Sequence, residues 1–227
     1  MIALHHVSRI FRSDQVETAA LTDVSLTIER GEFVAIMGPS GGGKSTLLNV
    51  LGTIDRPTGG AYLFEGRDLA RLSEARLAEH RAAHLGFIFQ SFNLIDDLTI
   101  RENIELGLLY RKRQRGLRRG LVEEVMDRVG IGHRADHFPQ QLSGGQQQRA
   151  AIARAVVGTP SLLLADEPTG NLDSENGQQV MDILKSLNQD GVTVIMVTHS
   201  QSQADQAGRR IQILDGRLAL SVARVTG

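Results

Sequence analysis

The sequence predicts an α/β fold: a mostly parallel sheet, entered through an N-terminal antiparallel β region and interrupted by an inserted helical subdomain. Three observations carry that expectation. The apolar run Phe33 to Met37 feeds directly into a glycine-rich loop and then a helix, as a buried parallel strand does at its crossover. Past about Gln141, strand and helix patterns alternate, which is how parallel α/β units read. Between these stretches, from Phe92 to about Gln141, strand signals fade and helical periodicity replaces them.

Each element follows in order. Ile2 to Phe11 and Leu21 to Ile28 are β-rich runs broken by polar residues. Phe33 to Met37 is apolar almost throughout, which suits a strand covered on both faces. Lys44 to Leu51 reads as a helix, and a Pro57-Thr58-Gly59-Gly60 turn leads to a strand at Ala61 to Glu65. Ser73 to Ala83 looks helical, with Ser73 as N-cap. Leu85 to Phe89 is a further buried strand that ends at Gln90. Helical patterns occupy Ile100 to Tyr110 and Leu117 to Val129. Then come a helix from near Gln146 to Val157, a strand at Leu162 to Asp166, a helix at Ser174 to Gln189 and a strand at Val192 to Thr198. Arg210 to Leu214 and Arg217 to Val222, joined at Asp215-Gly216, form a closing hairpin. With no repeat and no low-complexity linker, residues 1–227 read as one domain, with a helical subdomain inserted at about 92–158.

Composition excludes several classes. A chain of 227 residues buries a sizeable core, and 41% hydrophobic content is that of an ordinary soluble protein. No stretch approaches the ~18 to 20 apolar residues of a membrane span. The opening MIALHHVSRIFRSD lacks the plan of a secretory signal. Without cysteine there is no disulfide, thiolate metal site or cysteine nucleophile, which suits the cytoplasm. A formal net charge of -1 argues against nucleic acid as the main partner.

The chemistry starts at Gly38 to Ser45, GPSGGGKS, the G-x-x-x-x-G-K-[ST] pattern of a phosphate-cradling loop. Backbone N–H groups converge on phosphate oxygens only where no side chain obstructs them, which Gly41, Gly42 and Gly43 allow. Lys44 brings a cation to the β and γ phosphates, and the Ser45 hydroxyl suits Mg²⁺. Gly38, Pro39, Ser40 and Thr46 complete the candidate cradle. A Gly-rich surface turn is the bland alternative, and the position between a buried strand and a helix weighs against it. Downstream, Leu162 to Glu167 is an apolar strand ending in two carboxylates. Asp166 is placed to hold Mg²⁺ through water, while strand alternation turns Glu167 elsewhere, free to polarise an attacking water. Alone, an Asp-Glu-Pro after a strand reads as a solvated loop entry; the glycine loop upstream changes that. Between these halves lies Leu142-Ser143-Gly144-Gly145-Gln146, a second helix N-terminus with bare backbone donors and so a second anion site. By itself it reads as a Ser-Gly-Gly N-cap with no ligand. Beside a single complete phosphate loop, it is most simply explained by a partner's nucleotide.

On these motifs the chain resembles the nucleotide-binding subunit of an ATP-binding-cassette (ABC) transporter, a P-loop NTPase, over nearly its whole length. The resemblance implies ATP and Mg²⁺ as cofactors and a role for each matching residue. Phe11 resembles the aromatic residue that stacks on adenine. Gln90 resembles the loop glutamine that touches Mg²⁺ and water and couples the site to the membrane subunit. Asn171-Leu172-Asp173 resembles the loop that crosses the dimer seam, and His199 the switch histidine at the γ-phosphate. Gly42 stands where the family more often has Ser, and Ser200 where an acidic residue is frequent, which puts a charge–histidine pairing there in doubt. Ala165 to Asp173, with Phe89 to Leu94, is similar to the branch of macrolide exporters (MacB-type), lipoprotein-releasing (LolD-type) and FtsE-type ATPases.

The resemblance implies a homodimer clasping two ATP head to tail, each held by Lys44 of one chain and Ser143 to Gln146 of the other. Glu167 orients water, His199 stabilises the γ-phosphate, and Ser45, Gln90 and Asp166 surround Mg²⁺. It further implies a separate membrane subunit with a large extracytoplasmic domain, no nucleic acid, and a cytoplasmic location, peripheral on the inner face of the cell membrane. The competing expectation is a soluble ABC ATPase acting on DNA or ribosomes, disfavoured by the single cassette, the lack of a heptad arm and the lack of cysteine. A pure nucleotide-binding regulator would lack Glu167 or His199. The basic run Arg111 to Arg115, with Arg118 and Arg119, reads as a solvated helix entry rather than a lipid-binding patch.

Overall fold

A computed structural model of the chain describes residues 1–12, 17–110 and 115–219. Strands β1 (Ile2–Arg12) and β2 (Glu17–Ile28) precede β3 (Phe33–Met37) and helix α1 (Lys44–Leu51). Strands β4 (Gly59–Phe64) and β5 (Arg67–Asp68), helix α2 (Glu74–His84) and strand β6 (Leu85–Ile88) follow. Helices α3 (Ile100–Glu105), α4 (Arg115–Arg128) and α5 (Gly144–Val156) come next. The chain then alternates through β7 (Leu162–Asp166), α6 (Ser174–Gln189), β8 (Thr193–Val197), α7 (Gln201–Ala204), β9 (Arg209–Leu214) and β10 (Arg217–Ala219).

Two sheets result. One has the order β2-β1-β4-β5 and its described pairings are antiparallel; the other runs β10-β9-β3-β8-β7-β6. In the second, β9, β3, β8, β7 and β6 are parallel and β10 closes the edge as a hairpin. The expected α/β class is therefore the observed one. Successive residues of a strand point to opposite faces, and here the two faces enter two different cores. Ala35, Leu163, Ala165, Val194 and Met196 pack with α3, α4, α5 and α6. Val34, Ile36, Leu162, Leu164, Ile195 and Val197 pack with α1 and the antiparallel sheet. That double coverage is why these strands are apolar throughout rather than alternating. Each large aliphatic side chain so buried contributes about 1.5–3 kcal/mol.

Several boundaries differ from the expectation. Strand β2 begins at Glu17, because its first residues pair with Phe11 and Arg12 of β1. Gly59 and Gly60 belong to β4 rather than to a turn: a Cβ at Gly60 would overlap the His6 carbonyl of the neighbouring strand. The expected helix Ile100 to Tyr110 is α-helical only to Glu105 and then tightens into a 3₁₀ turn over Leu106–Leu108. Gly107 sits there against the main chain of α5, where a Cβ would overlap the Arg154 carbonyl. Helix α5 starts at Gly144, earlier than Gln146, because Ser143 caps it. The short strand β5 and helix α7 carry too few residues for a periodic signal. Of the basic run, residues 111–114 lie outside the described residues, as does the last part, 220–222, of the expected closing strand. Arg118 and Arg119 approach Glu105 and Glu123 at 4.0 Å and 3.0 Å.

Candidate functional site

Parallel sheets gather their functional loops at the carboxyl ends of the strands. Here β3, β8, β7 and β6 are neighbours in that order, so four loops emerge side by side. Strand β3 delivers Gly38 to Gly43, β8 delivers Thr198 and His199, β7 ends at Asp166 with Glu167 next, and β6 leads to Phe89 and Gln90. Residues distant in sequence meet because adjacent strands end at one edge.

The glycine loop is fixed by backbone contacts. Gly42 N–H donates to the Pro39 carbonyl at 3.1 Å, and Gly216 N–H to the Gly42 carbonyl at 3.0 Å. Gly43 caps α1 with φ 100°, a left-handed conformation that glycine adopts without steric cost. A Cβ there would come within 2.7 Å of the Ala20 carbonyl. At Gly42, where the family more often has Ser, a Cβ would lie 3.0 Å from the Pro39 carbonyl. Lys44 Nζ donates to the Gly38 and Pro39 carbonyls at 2.9 and 2.8 Å.

Ser45, one residue into α1, hydrogen-bonds the Asp166 side chain. Burial raises the Asp166 pKa, as does the adjacent Glu167 charge, while the Ser45 bond and Lys44 oppose the rise. A hydroxyl and a carboxylate side by side form the hard-oxygen donor set that Mg²⁺ takes, so these residues fit that ion.

Glu167 lies beyond the strand rather than in its alternation. Its φ is 47°, and its N–H donates to the Val197 carbonyl of β8 at 2.9 Å. That left-handed residue, not the pleat, swings the carboxylate toward the next loop. There Glu167 Oε2 stands 2.8 Å from His199 Nδ1 and accepts from the His199 N–H at 3.4 Å. The histidine, whose pairing Ser200 left in doubt, thus has a carboxylate partner one strand away.

Gln90 is exposed, and its Nε2 donates to Asn171 Oδ1 at 3.2 Å while Asn171 Nδ2 donates to the Gln90 carbonyl at 3.0 Å. Its amide therefore rests on the Asn171-Leu172-Asp173 loop, where a Cβ at Gly170 would approach it to 2.7 Å. Phe11 is the penultimate residue of β1 and is 42% exposed. It pairs with Thr18, two residues from the Ala20 carbonyl that abuts Gly43, and the Arg9 guanidinium covers one ring face at 4.4 Å.

Ser143 to Gln146 open α5 rather than a loop at the strand ends. Ser143 Oγ accepts from Gln146 N–H at 3.3 Å and Gln146 Oε1 accepts from Ser143 N–H at 3.1 Å, a reciprocal capping box. A Cβ on Gly144 would touch Leu172 and Phe92, whereas one on Gly145 would overlap Asn176 Oδ1 of α6. Close helix packing thus demands glycine at 145, a reason the motif alone did not reveal. Two residues escaped the motif reading. Gln148 is fully buried and donates to the Pro168 carbonyl at 2.6 Å; Arg154 donates to the Phe92 carbonyl at 2.7 Å. A polar residue on the apolar stripe of a helix is the signal that would have found Gln148.

The family model described as ABC transporter matches residues 21–170, more than half of the chain. The chain belongs to the ABC transporter family. Membership makes it an ATP-hydrolysing, nucleotide-binding cassette. An uncharacterized ABC transporter ATP-binding protein of Methanocaldococcus jannaschii is 49% identical over 96% of this chain and 97% of its own length. The macrolide export ATP-binding/permease protein MacB of a Shewanella species is 48% identical over 92% of this chain. The chain spans only 32% of that relative. Among solved structures, the dimeric structure of MJ0796, a bacterial ABC transporter cassette, aligns over 100% of both chains with 42% identity and a TM-score of 0.92.

Proposed function

We propose that this cassette hydrolyses ATP as one of two copies arranged head to tail, and that closure of the pair drives a separate membrane subunit. The observation that carries the reading is the division of the site. The glycine loop, Asp166, Glu167, His199 and Gln90 share one sheet edge, while Ser143 and Gln146, at the start of α5, hydrogen-bond each other rather than any of these. One phosphate loop and one detached anion site per chain make two complete sites per pair. The dimeric MJ0796 cassette, and its structure bound to ADP and Pi, support that arrangement.

In this reading Gly38 to Thr46 cradle the phosphates, with Lys44 leaving the loop carbonyls for the γ-phosphate. Ser45, Asp166 and Gln90 hold Mg²⁺, which when bound neutralises charge on the β and γ phosphates. Glu167 takes the proton of the attacking water, held toward the site by its left-handed backbone. His199, oriented by Glu167, donates to the γ-phosphate. Phe11 offers its open ring face to the base, backed by Arg9. The second copy supplies Ser143, Gly144, Gly145 and Gln146.

The helical subdomain at about 92–158, within a domain of 1–227, carries the pull of closure to the membrane. A groove of about 800 Å³, lined by Phe87, Phe89, Leu106 and Tyr110 among others, opens beside the Gln90 loop and suits an apolar helix of that subunit. No helix among the described residues is long and apolar enough to cross a membrane. The MacB relatives, of which the chain matches about a third, carry both activities in their names: ATP-binding and permease. They support a membrane subunit of that branch; that this subunit carries a large extracytoplasmic domain and holds the cassette at the cytoplasmic face is part of the proposal. Glu167→Gln is the test: with MgATP it elutes as a dimer in size exclusion and nearly loses turnover. Hydrolysis at the parent rate would remove Glu167 from the catalytic role.

A further inference from the structure

Helix α5 begins at the Ser143 cap, and its body holds the main chain on both sides of Gln90. Before Gln90, the wholly buried Gln148 donates from Nε2 to the Phe89 carbonyl at 3.4 Å and to the Pro168 carbonyl, next to Glu167, at 2.6 Å. After Gln90, the half-buried Arg154 donates to the Phe92 carbonyl at 2.7 Å and to the Asn93 carbonyl. Phe92 and Asn93 have φ of 61° and 51°, two consecutive non-glycine residues in the left-handed region. Such a turn persists only where its surroundings compel it, and a charged guanidinium on both carbonyls does so. The Phe92 ring lies against Gly144, where a Cβ would stand 3.7 Å from it. Asn171 also holds the turn, its Nδ2 donating to the Gln90 carbonyl at 3.0 Å and its Oδ1 accepting from Gln90 Nε2 at 3.2 Å.

We infer that Arg154 and Gln148 are positioning residues: they lock the Gln90 turn to the helix that begins with the Ser143-Gly144-Gly145 anion site, so the two move as one body. The inference rests on the functional reading above. In that reading Ser143 serves the second copy's nucleotide and Gln90 serves this chain's own. One rigid helix then ties the state of one site to the geometry of the other. Arg154 also lines the groove beside Gln90, so a helix seated there touches the same lock.

The full chain, with MgATP, tests this through Arg154→Met, Arg154→Lys and Gln148→Leu. Each is made alone and in the Glu167→Gln background. A positioning role predicts that Arg154→Met and Gln148→Leu lower kcat about tenfold to a hundredfold, as displaced catalytic groups do, with KM within about twofold. Arg154→Lys, which keeps the charge and one donor, regains part of that loss. In the Glu167→Gln background all three still form the ATP-dependent dimer, because the Ser143 site itself is intact. Unchanged kcat in both Arg154→Met and Gln148→Leu overturns the inference. Loss of the dimer together with kcat, in Arg154→Lys as well, also overturns it, since the residues then merely hold the helix in place. If Glu167→Gln alone neither traps a dimer nor loses turnover, the functional reading fails first, a result distinct from both.

Discussion

Single residues here are tuned by what their neighbours do to charge. His80 packs edge-on against Phe64 at 4.5 Å between ring centroids, with His84 at 4.9 Å. Burial, then the charges of His84, Arg67 and Arg81, push its pKa down from 6.5 to about 4. The folded protein therefore binds fewer protons at His80 than the unfolded chain does. Its contribution to stability is fully present above the unfolded value of 6.5 and is lost as pH falls toward about 4. Denaturant titrations between these limits are expected to show falling stability, and His80→Leu a shallower fall. An identical acid slope in the variant would exclude His80 as a source. Glu167 illustrates the same dependence on neighbours: its role rests on a left-handed φ of 47° and on His199 at 2.8 Å, neither of which belongs to the Asp-Glu pair itself.

Among the elements, helix ends do most to shape the site. Helix α3 has a complete capping box at Thr99 and Glu102, α5 one at Ser143 and Gln146, and α6 a cap at Asp173. The α5 and α6 ends pack on each other, with Gly145 against Asn176 and Asn176 Nδ2 on Asp173 Oδ2 at 2.8 Å. Gly145→Ala must push the Asn176 side chain away, and overpacking of this kind costs about 1–3 kcal/mol. Gly144→Ala meets Leu172 only at 3.5 Å, an ordinary contact. Urea denaturation should separate the two: a clear loss for Gly145→Ala and a change of less than about 1 kcal/mol for Gly144→Ala. Equal losses would mean that backbone conformation, not the α5–α6 contact, requires glycine at both positions.

At the scale of the whole molecule, the proposed function makes the chain one half of a pair. The parallel sheet is shielded by helices on one face and by α1 and the antiparallel sheet on the other. In the proposed function the Ser143 site serves the second copy's nucleotide. Ser143→Arg is therefore expected to abolish hydrolysis while a fluorescent ATP analogue still binds the single chain with affinity near the parent's. Loss of nucleotide affinity in the monomer would place Ser143 in the chain's own site and undo the paired arrangement.

Much of this was legible in the amino-acid order because local patterns answer to local physics. Continuous apolar runs marked β3 and β7 to their terminal residues, since strands covered on both faces tolerate nothing else. The glycine loop and the Ser143 motif were legible because phosphate cradles and helix caps need particular residue types at fixed spacing. Other features came from contacts between segments far apart in the chain. Gly59 and Gly60 joined β4 rather than a turn because β1 lies beside them. His199 found Glu167 because β7 and β8 end together, and Gln148 and Arg154 acquired a role only when α5 crossed the Gln90 loop. The sequence alone determined which chemical groups are present and which local conformations they favour. The tertiary structure decided which of them meet, because strand order and helix packing set distances that no local pattern contains.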